Sequence, residues 1–465
     1  MGRPVFLCLS VLLLAAGAVL LSLNGCSSSN SPGGSSSSGT IPLGKFQHVV
    51  VIFQENRTPD NLFHDPVLMA KGADIASSGL NSSGDTVPLT ATPLGVDYDL
   101  GHQHASFLAM YDGGKMDGAD KVQVSCYGGN CPPNPQFMYV QASDVGPYFQ
   151  MAEQYAFGDR MFQTNQGPSF PAHQFILSGT SAPTATSLLF AAENTRGGTG
   201  CAAPPGATVS LIDPSGNESS SMYPCFEHAT LSDELDAKGV AWRYYTPSAI
   251  SIWTGPNAIQ HMCQPQTQNG QLVCTGNTWS KVIIPSKQVL TDIANNQLPA
   301  VSWVIPTGQN SDHAGSTGTT GGPSWVASIV NAIGSSSYWS NTAIIIAWDD
   351  WGGWYDHVAP PQVINDGTSW GSGYAYGFRV PLIVVSPYAK AGYISHVRHD
   401  FGSILNLIEQ DFGLPSLGYA DAHADNLSDC FNFSQTPLQF HTIAAPLSAA
   451  DFLNDPRPPT DPDDD

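Results

Sequence analysis

Positive charge is what this chain has least of. Its 465 residues hold 16 Lys and Arg against 38 Asp and Glu, a net charge of -22, and only 12% of positions carry any charge. That balance repels phosphate backbones at long range, which excludes nucleic acid as the main partner and equally an anionic membrane surface. An anionic substrate would need a local cation to hold it. Cysteine is also sparse, and none of the nine stands at Cys-x-x-Cys spacing, which argues against a thiolate metal site. With Cys8 and Cys26 set aside, six of the remaining cysteines fall in local pairs: Cys126 with Cys131, Cys201 with Cys225, and Cys263 with Cys274. In an exported chain such pairs read as disulfides closing loops, with Cys430 left over.

What is abundant is apolar: 42% of residues are hydrophobic, enough for the core of one large domain or two ordinary ones. The first 25 residues combine Arg3, an apolar run from Val5 to Leu23 and a small residue before Cys26, the pattern of an export signal peptide. The alternative is an uncleaved anchor, since the run approaches bilayer-spanning length. The ending Leu23-Asn24-Gly25-Cys26 resembles a bacterial lipobox, which implies an acylated Cys26, a cell-envelope lipoprotein, and membrane association through that anchor alone; otherwise the protein is secreted. Residues 26–44 are Ser- and Gly-rich and serve as a flexible tether. A catalytic domain is expected over 45–450, followed by a Pro- and Asp-rich tail, 451–465, that reads as disordered from Asp455 onward.

The centre of that domain is Thr342 to Pro360, TAIIIAWDDWGGWYDHVAP. A strand buried on both faces is expected up to Trp348, and it stops at Asp349 and Asp350. Gly352 and Gly353 then let the backbone turn. Gln47 to Phe53 (QHVVVIF) is a second buried strand, and it delivers Glu55 and Asn56 at its carboxyl end. Further strands are expected over 300–305, ending near Asp312 and His313, over 240–245, and over 379–386. Helices are expected over 147–155, 229–238, 324–333 and 401–412. Strands alternating with helices mean a mostly parallel sheet covered on both faces, with ligands outside the carboxyl ends of its strands. Residues 181–228 and 250–285 are assigned to surface loops or a small cap.

Ser169 opens a further predicted helix that stops at Gly179. A serine there is an N-cap in the plain reading, yet free backbone N–H groups at a helix start also make a preformed anion site. The strand ends together bring Glu55, Asn56, Asp349, Asp350, Asp312, His313, His102 and Ser169 toward one edge. Carboxylates, an amide oxygen and a hydroxyl suit a divalent cation of unspecified identity, and histidines beside it can hold phosphoryl oxygens or move protons. His102 and His104, two apart, share a face only in a strand, so one of them at most is a site residue.

Glu55-Asn56-Arg57-Thr58, Gly167-Pro168-Ser169-Phe170-Pro171, the run from Trp348 to His357, Gly377 to Pro381 and Ser386-Pro387-Tyr388 resemble the bacterial phosphoesterase family. That family holds phospholipase C and acid phosphatase enzymes of the alkaline-phosphatase-like superfamily. The resemblance runs from about His48 to about Leu417. It implies a three-layer α/β/α sandwich with cap or loop insertions and a divalent metal held by Glu55, Asn56, Ser169, Asp349 and Asp350. It also implies a Ser169 nucleophile, with His102 and His313 on the phosphate or as acid and base. His104, His261 and Asp312 are further substrate-binding candidates. Where the family often has Asp-Glu, this chain has Asp349-Asp350, and His173 stands where phospholipase-like members have Asn-Arg nearby. The implied activity is hydrolysis of phosphate monoesters; the alternatives are a phospholipase C releasing phosphorylated head groups and a catalytically silent binding module. A sulfatase is disfavoured, because Ser169-Phe170-Pro171-Ala172-His173 lacks the arginine of the Cys/Ser-x-Pro-x-Arg motif.

Overall fold

Isoleucine and alanine fill the strand over Thr342–Trp348, every residue of which is buried, so it needs neighbours on both edges and cover on both faces. A computed structural model, which describes residues 39–315, 321–361 and 375–460, provides both. The signal segment, Cys26 and residues 461–465 lie outside the described residues. Nine strands form the main sheet: β1 (His48–Gln54), β2 (Ala156–Phe162), β3 (Trp242–Tyr245), β4 (Val282–Ile283), β5 (Val301–Val304), β6 (Thr342–Trp348), β7 (Arg379–Val385), β8 (Tyr393–Ser395) and β9 (His399–Asp400). Their order is β4-β3-β5-β1-β6-β7-β2-β8, with β9 also paired to β2. All neighbours run parallel except β7, which is antiparallel to β6 and β2. The sheet is therefore mostly parallel, as expected.

Side-chain parity shows the three layers. In the β1–β6 register, Phe53 pairs with Ala347 and Gln54 with Trp348, so Phe53 and Trp348 point to opposite faces. The Phe53 ring lies 5.5 Å from Phe401, which opens the helix Phe401–Phe412, while Trp348 lies 5.1 Å from Tyr148 of the helix Ala142–Gln154. One helical layer thus covers each face. Around this sandwich, a three-stranded sheet and small hairpins occupy most of the segments assigned to loops or a cap, but β4, inside 250–285, belongs to the main sheet, where it pairs with β3.

Several elements differ from the sequence reading. β2 (AFGDRMF) was not anticipated; its Gly158-Asp159-Arg160 interrupts the apolar pattern, yet Asp159 is buried, accepting from the Asp74 amide at 2.9 Å. The helix expected from Pro147 begins at Ala142, and Pro147 falls in its first two turns. The tail is ordered through Thr460: the Gly308 amide donates to Thr460 O at 2.7 Å and Gln309 Nε2 to Pro458 O at 2.8 Å. Ahead of it, Phe452 packs on Trp325 at 5.3 Å, which carries the core beyond residue 450. The three cysteine pairs form as paired by proximity, and Cys430 is a buried free thiol. Among the described residues, no helix is long and apolar enough to cross a membrane.

Candidate active site

Two parallel strands that stop in step bring their next residues together. β1 ends at Gln54 and β6 at Trp348, which are register partners, so Glu55-Asn56 and Asp349-Asp350 emerge side by side. Asn56 takes a left-handed conformation (φ 61°), uncommon for a non-glycine residue, and hydrogen bonds hold it there. Its amide donates to Asp349 Oδ1 at 3.1 Å, and the Arg57 amide donates to Asp350 O at 3.0 Å. Gly352 is required by the same approach. Its φ is +61°, and a Cβ there would lie 2.4 Å from the Asn56 carbonyl oxygen.

From β2 the chain reaches the helix Ser169–Ser178, closed by Gly179 in a left-handed conformation as anticipated. Ser169 is fully buried, and its Oγ donates to Asp350 Oδ2 at 3.1 Å. One turn on, at i+4 and hence on the same helix face, His173 is also fully buried, with Nε2 3.4 Å from Glu55 Oε1 and 3.7 Å from Asp349 Oδ2. Its protonation pattern follows from what lies behind it. The Tyr244 hydroxyl donates to Trp253 O at 3.0 Å, so at 3.4 Å from His173 Nδ1 the phenolic oxygen accepts, and Nε2 faces the two carboxylates, able to give its lone pair to a cation held between them. Ligand atoms of Glu55, His173 and Asp349 all lie within 4.8 Å of one another. Asp349 Oδ2 and Asn56 Oδ1 are buried beside them and take no hydrogen bond among the described residues. Two carboxylates, Glu55 and Asp349, the His173 imidazole and the Asn56 amide oxygen fit a divalent cation.

His173 was not among the predicted ligands. Its signal was the four-residue spacing from Ser169 within a predicted helix. At that helix start Asn194 Oδ1 takes the Phe170 amide at 2.9 Å and Pro171 has no N–H, so fewer free amides face an anion there than at an ordinary helix start.

The imidazoles come from separate loops. His102 Nδ1 donates to Leu100 O at 2.9 Å, which leaves Nε2 to accept from Asn56 Nδ2 at 3.4 Å. His313 Nδ1 donates to Ala314 O at 2.5 Å, and its ring centroid is 5.9 Å from that of His102. The His313 loop hangs from the end of β1, since Gln54 Nε2 donates to Asn310 O at 3.2 Å and Gln54 Oε1 accepts the Asp312 amide at 3.1 Å. Asp312 itself points into the core. Its Oδ2 accepts from the Tyr148 hydroxyl at 2.8 Å and Trp348 Nε1 at 2.9 Å, and burial pushes its pKa up to about 6.

His104 turns away from Asn56: its Nδ1 is 2.9 Å from Glu218 Oε1 and its amide donates to Glu193 Oε1 at 3.0 Å. His261 sits between Glu227 and Asp233, at 2.9 and 3.1 Å, and the Asp233 hydrogen bond raises its pKa to about 9. Asp356 and His357, from the same run as Asp349, leave for another network. Arg379 Nε donates to Asp356 at 3.0 Å, and His357 Nδ1 lies 2.7 Å from Asp60. With the Arg379 guanidinium already between Asp60 and Asp356, that group is an ion-pair lock. A cavity of about 290 Å³ opens beside the site, and His102, Pro168, Asp99, Gln123, Glu193 and Arg196 are among its lining residues.

Residues 46–415 match the model of the phosphoesterase family. The non-hemolytic phospholipase C of Pseudomonas aeruginosa is 25% identical over 324 residues, covering 64% of this chain and 43% of that protein. Phospholipase C A and phospholipase C B of Mycobacterium tuberculosis are 23% and 26% identical, each match covering 85% of this chain and 79% of the relative. The chain thus spans under half the length of the Pseudomonas relative and most of the mycobacterial ones. Among solved structures, a protein in the alkaline phosphatase superfamily from Vibrio parahaemolyticus aligns over 83% of this chain and 72% of its own, at 10% identity and a TM-score of 0.36. With the family's model matching most of its length, the chain belongs to the phosphoesterase family.

Proposed function

We propose that this chain is an exported, metal-dependent phosphoesterase that hydrolyses phosphate monoesters with Ser169 as the nucleophile. The observation that carries the reading is the Ser169 Oγ, buried at a helix start, 3.1 Å from Asp350 Oδ2 and on the same helix face as the His173–Glu55–Asp349 cluster. Asp350 orients the hydroxyl and receives its proton as Oγ bonds to phosphorus and the ester oxygen departs. A divalent cation held by Glu55, His173 and Asp349, with Asn56 and Asp350 at hand, would supply the positive charge that this acidic chain otherwise lacks and stabilise charge on the phosphoryl oxygens. His102 and His313 each keep Nδ1–H on a backbone carbonyl, which fixes the ring and leaves Nε2 as the proton-carrying atom. When protonated, that nitrogen gives its proton to the departing alcohol; in the second step it takes one from the water that cleaves the phosphoserine, and Asp350 returns its proton to Ser169 Oγ as the P–O bond breaks.

Ser169→Ala is expected to lower kcat by at least about 1,000-fold with the thermal transition unchanged, in line with losing a covalent route. A phosphoserine at Ser169, caught by acid quench and mass spectrometry, is the positive counterpart. A variant with near-normal rates rules out the covalent route. A phosphodiesterase of the phospholipase C type is the second reading, favoured by the names of the relatives. Comparing a chromogenic phosphomonoester with a phosphocholine diester separates the two. A sulfate ester serves as the control for a sulfatase, and loss of turnover on chelation tests the metal.

A further inference from the structure

The cavity beside Ser169 has walls whose chemistry is not that of a lipid tail. At about 290 Å³ it lies at the small end of ligand pockets (about 300–1,000 Å³), room for a head group and not for acyl chains. Amides and hydroxyls line it: Gln103, Gln123, Asn194, Ser125 and Thr195. Glu193 is the point of demand. Its Oε1 is occupied by the His104 amide, while Oε2 is buried and takes no hydrogen bond among the described residues. A buried acceptor without a donor costs on the order of 1–3 kcal/mol until something supplies an O–H or N–H.

We propose that this cavity recognises a hydroxyl-rich group esterified to the phosphate, a polyol or sugar, with Glu193 Oε2 accepting one of its hydroxyls. The proposal rests on the phosphoesterase reading, because Pro168 and His102 join the cavity to Ser169 and Asn56. A cationic head group is the obvious rival for a carboxylate, and three observations weigh against it. Arg196, exposed in the cavity wall, would repel it. Among the described residues, Tyr127 is the only aromatic ring of the lining apart from His102, so these residues form no cage of faces around a quaternary ammonium. Burial, then the neighbouring Glu218 carboxylate, push Glu193 up to about 7, so near neutral pH it is close to half protonated and exchanges hydrogen bonds with hydroxyls in both directions.

The hydroxyls could belong to a free polyol phosphate or to the head group of a polyol phospholipid, and the substrates tested tell these apart. Turnover of inositol 1-phosphate, glycerol phosphate, ethyl phosphate, phosphocholine and a chromogenic phosphomonoester would be compared, along with vesicles of phosphatidylinositol or phosphatidylcholine. In parallel, saturation-transfer NMR would read binding of free myo-inositol to the protein. Expected are inositol binding and a kcat/KM for the polyol esters at least tenfold above that for ethyl phosphate or phosphocholine. In Glu193→Leu, and in Gln123→Ala on the exposed wall, this preference should fall about tenfold through KM. If phosphatidylinositol is cleaved and inositol 1-phosphate is not, the hydroxyls are those of a lipid head group. Turnover that treats polyol and ethyl esters alike, or prefers phosphocholine, overturns the proposal and leaves the phosphoesterase reading standing. Inositol binding without turnover of any ester keeps the cavity assignment and removes the catalytic one; neither binding nor turnover removes both.

Discussion

At the scale of single residues, His173 shows how a metal site can depend on an atom that does not itself reach the metal. The Tyr244 hydroxyl has one proton and gives it to Trp253 O, so His173 presents Nδ1–H behind and turns Nε2 toward the carboxylates, where a cation would take its lone pair. Tyr244→Phe removes that direction without opening space. Such supporting contacts are typically worth about 10–100-fold in metal affinity, so a loss of about tenfold is expected for this variant. His173→Ala should lose more. Titration of the metal-stripped proteins with zinc or manganese would measure both, and unchanged affinity in both variants would mean that the cluster is not a cation site. In the sequence His173 is marked only by its i, i+4 relation to Ser169, because its carboxylate partners Glu55 and Asp349 are distant in the chain.

At the scale of elements, the strand ends matter more than the strands. The Val/Ile runs of β1 and β6 were legible because a strand buried on both faces has no polar alternation to hide, and the carboxylates that stop them mark the site edge. The helix Phe401–Phe412 was legible from its apolar spacing, and its start and stop coincide with those expected. β2 was not, because Asp159 and Arg160 sit in it as buried or half-buried ion-pair members, and a short-range pattern cannot announce distant partners. The reversed direction of β7 was equally hidden, since an apolar run looks the same in either direction. The Asp356–Arg379 lock depends on tertiary partners in the same way, so the acids of one continuous run divided between two networks. The turn after β6 tests how far the site depends on this edge. In Gly352→Ala the new Cβ meets the Asn56 carbonyl and the left-handed φ becomes unfavourable. Destabilisation above about 1 kcal/mol is expected, together with weakened metal binding, because Asn56 and Asp349 are held by the contact that must move. Circular dichroism melting and metal titration would read the two effects, and a variant that is fully stable yet still metal-bound would show that the edge tolerates repacking.

At the scale of the whole molecule, burial has raised many acids in a chain that already carries a net charge of -22. Desolvation pushes Asp312, Asp356, Asp400 and Asp411 up to about 6 and Glu409 up to about 8. Between the ordinary carboxyl range near pH 4 and these values, the folded chain holds protons that the unfolded chain has released, so stability falls as pH rises through that window. His357 acts in the same direction. Burial opposes its charge, but Asp60 and Asp74 prevail and raise it to about 10, so its contribution is complete below its unfolded value of 6.5 and is lost as pH climbs toward 10. His48, His64 and His228, lowered by burial, oppose this, because they favour the folded state as pH rises past 6.5. They are outnumbered by the raised acids, and the growing negative charge adds repulsion of its own. The metal-stripped protein is therefore expected to be more stable at pH 5 than at pH 8, by at least about 1.4 kcal/mol, the worth of one net pKa unit. Urea unfolding at the two pH values, followed by tryptophan fluorescence, measures the difference. A higher midpoint at pH 8 would mean that water reaches and relieves these buried carboxyls in solution.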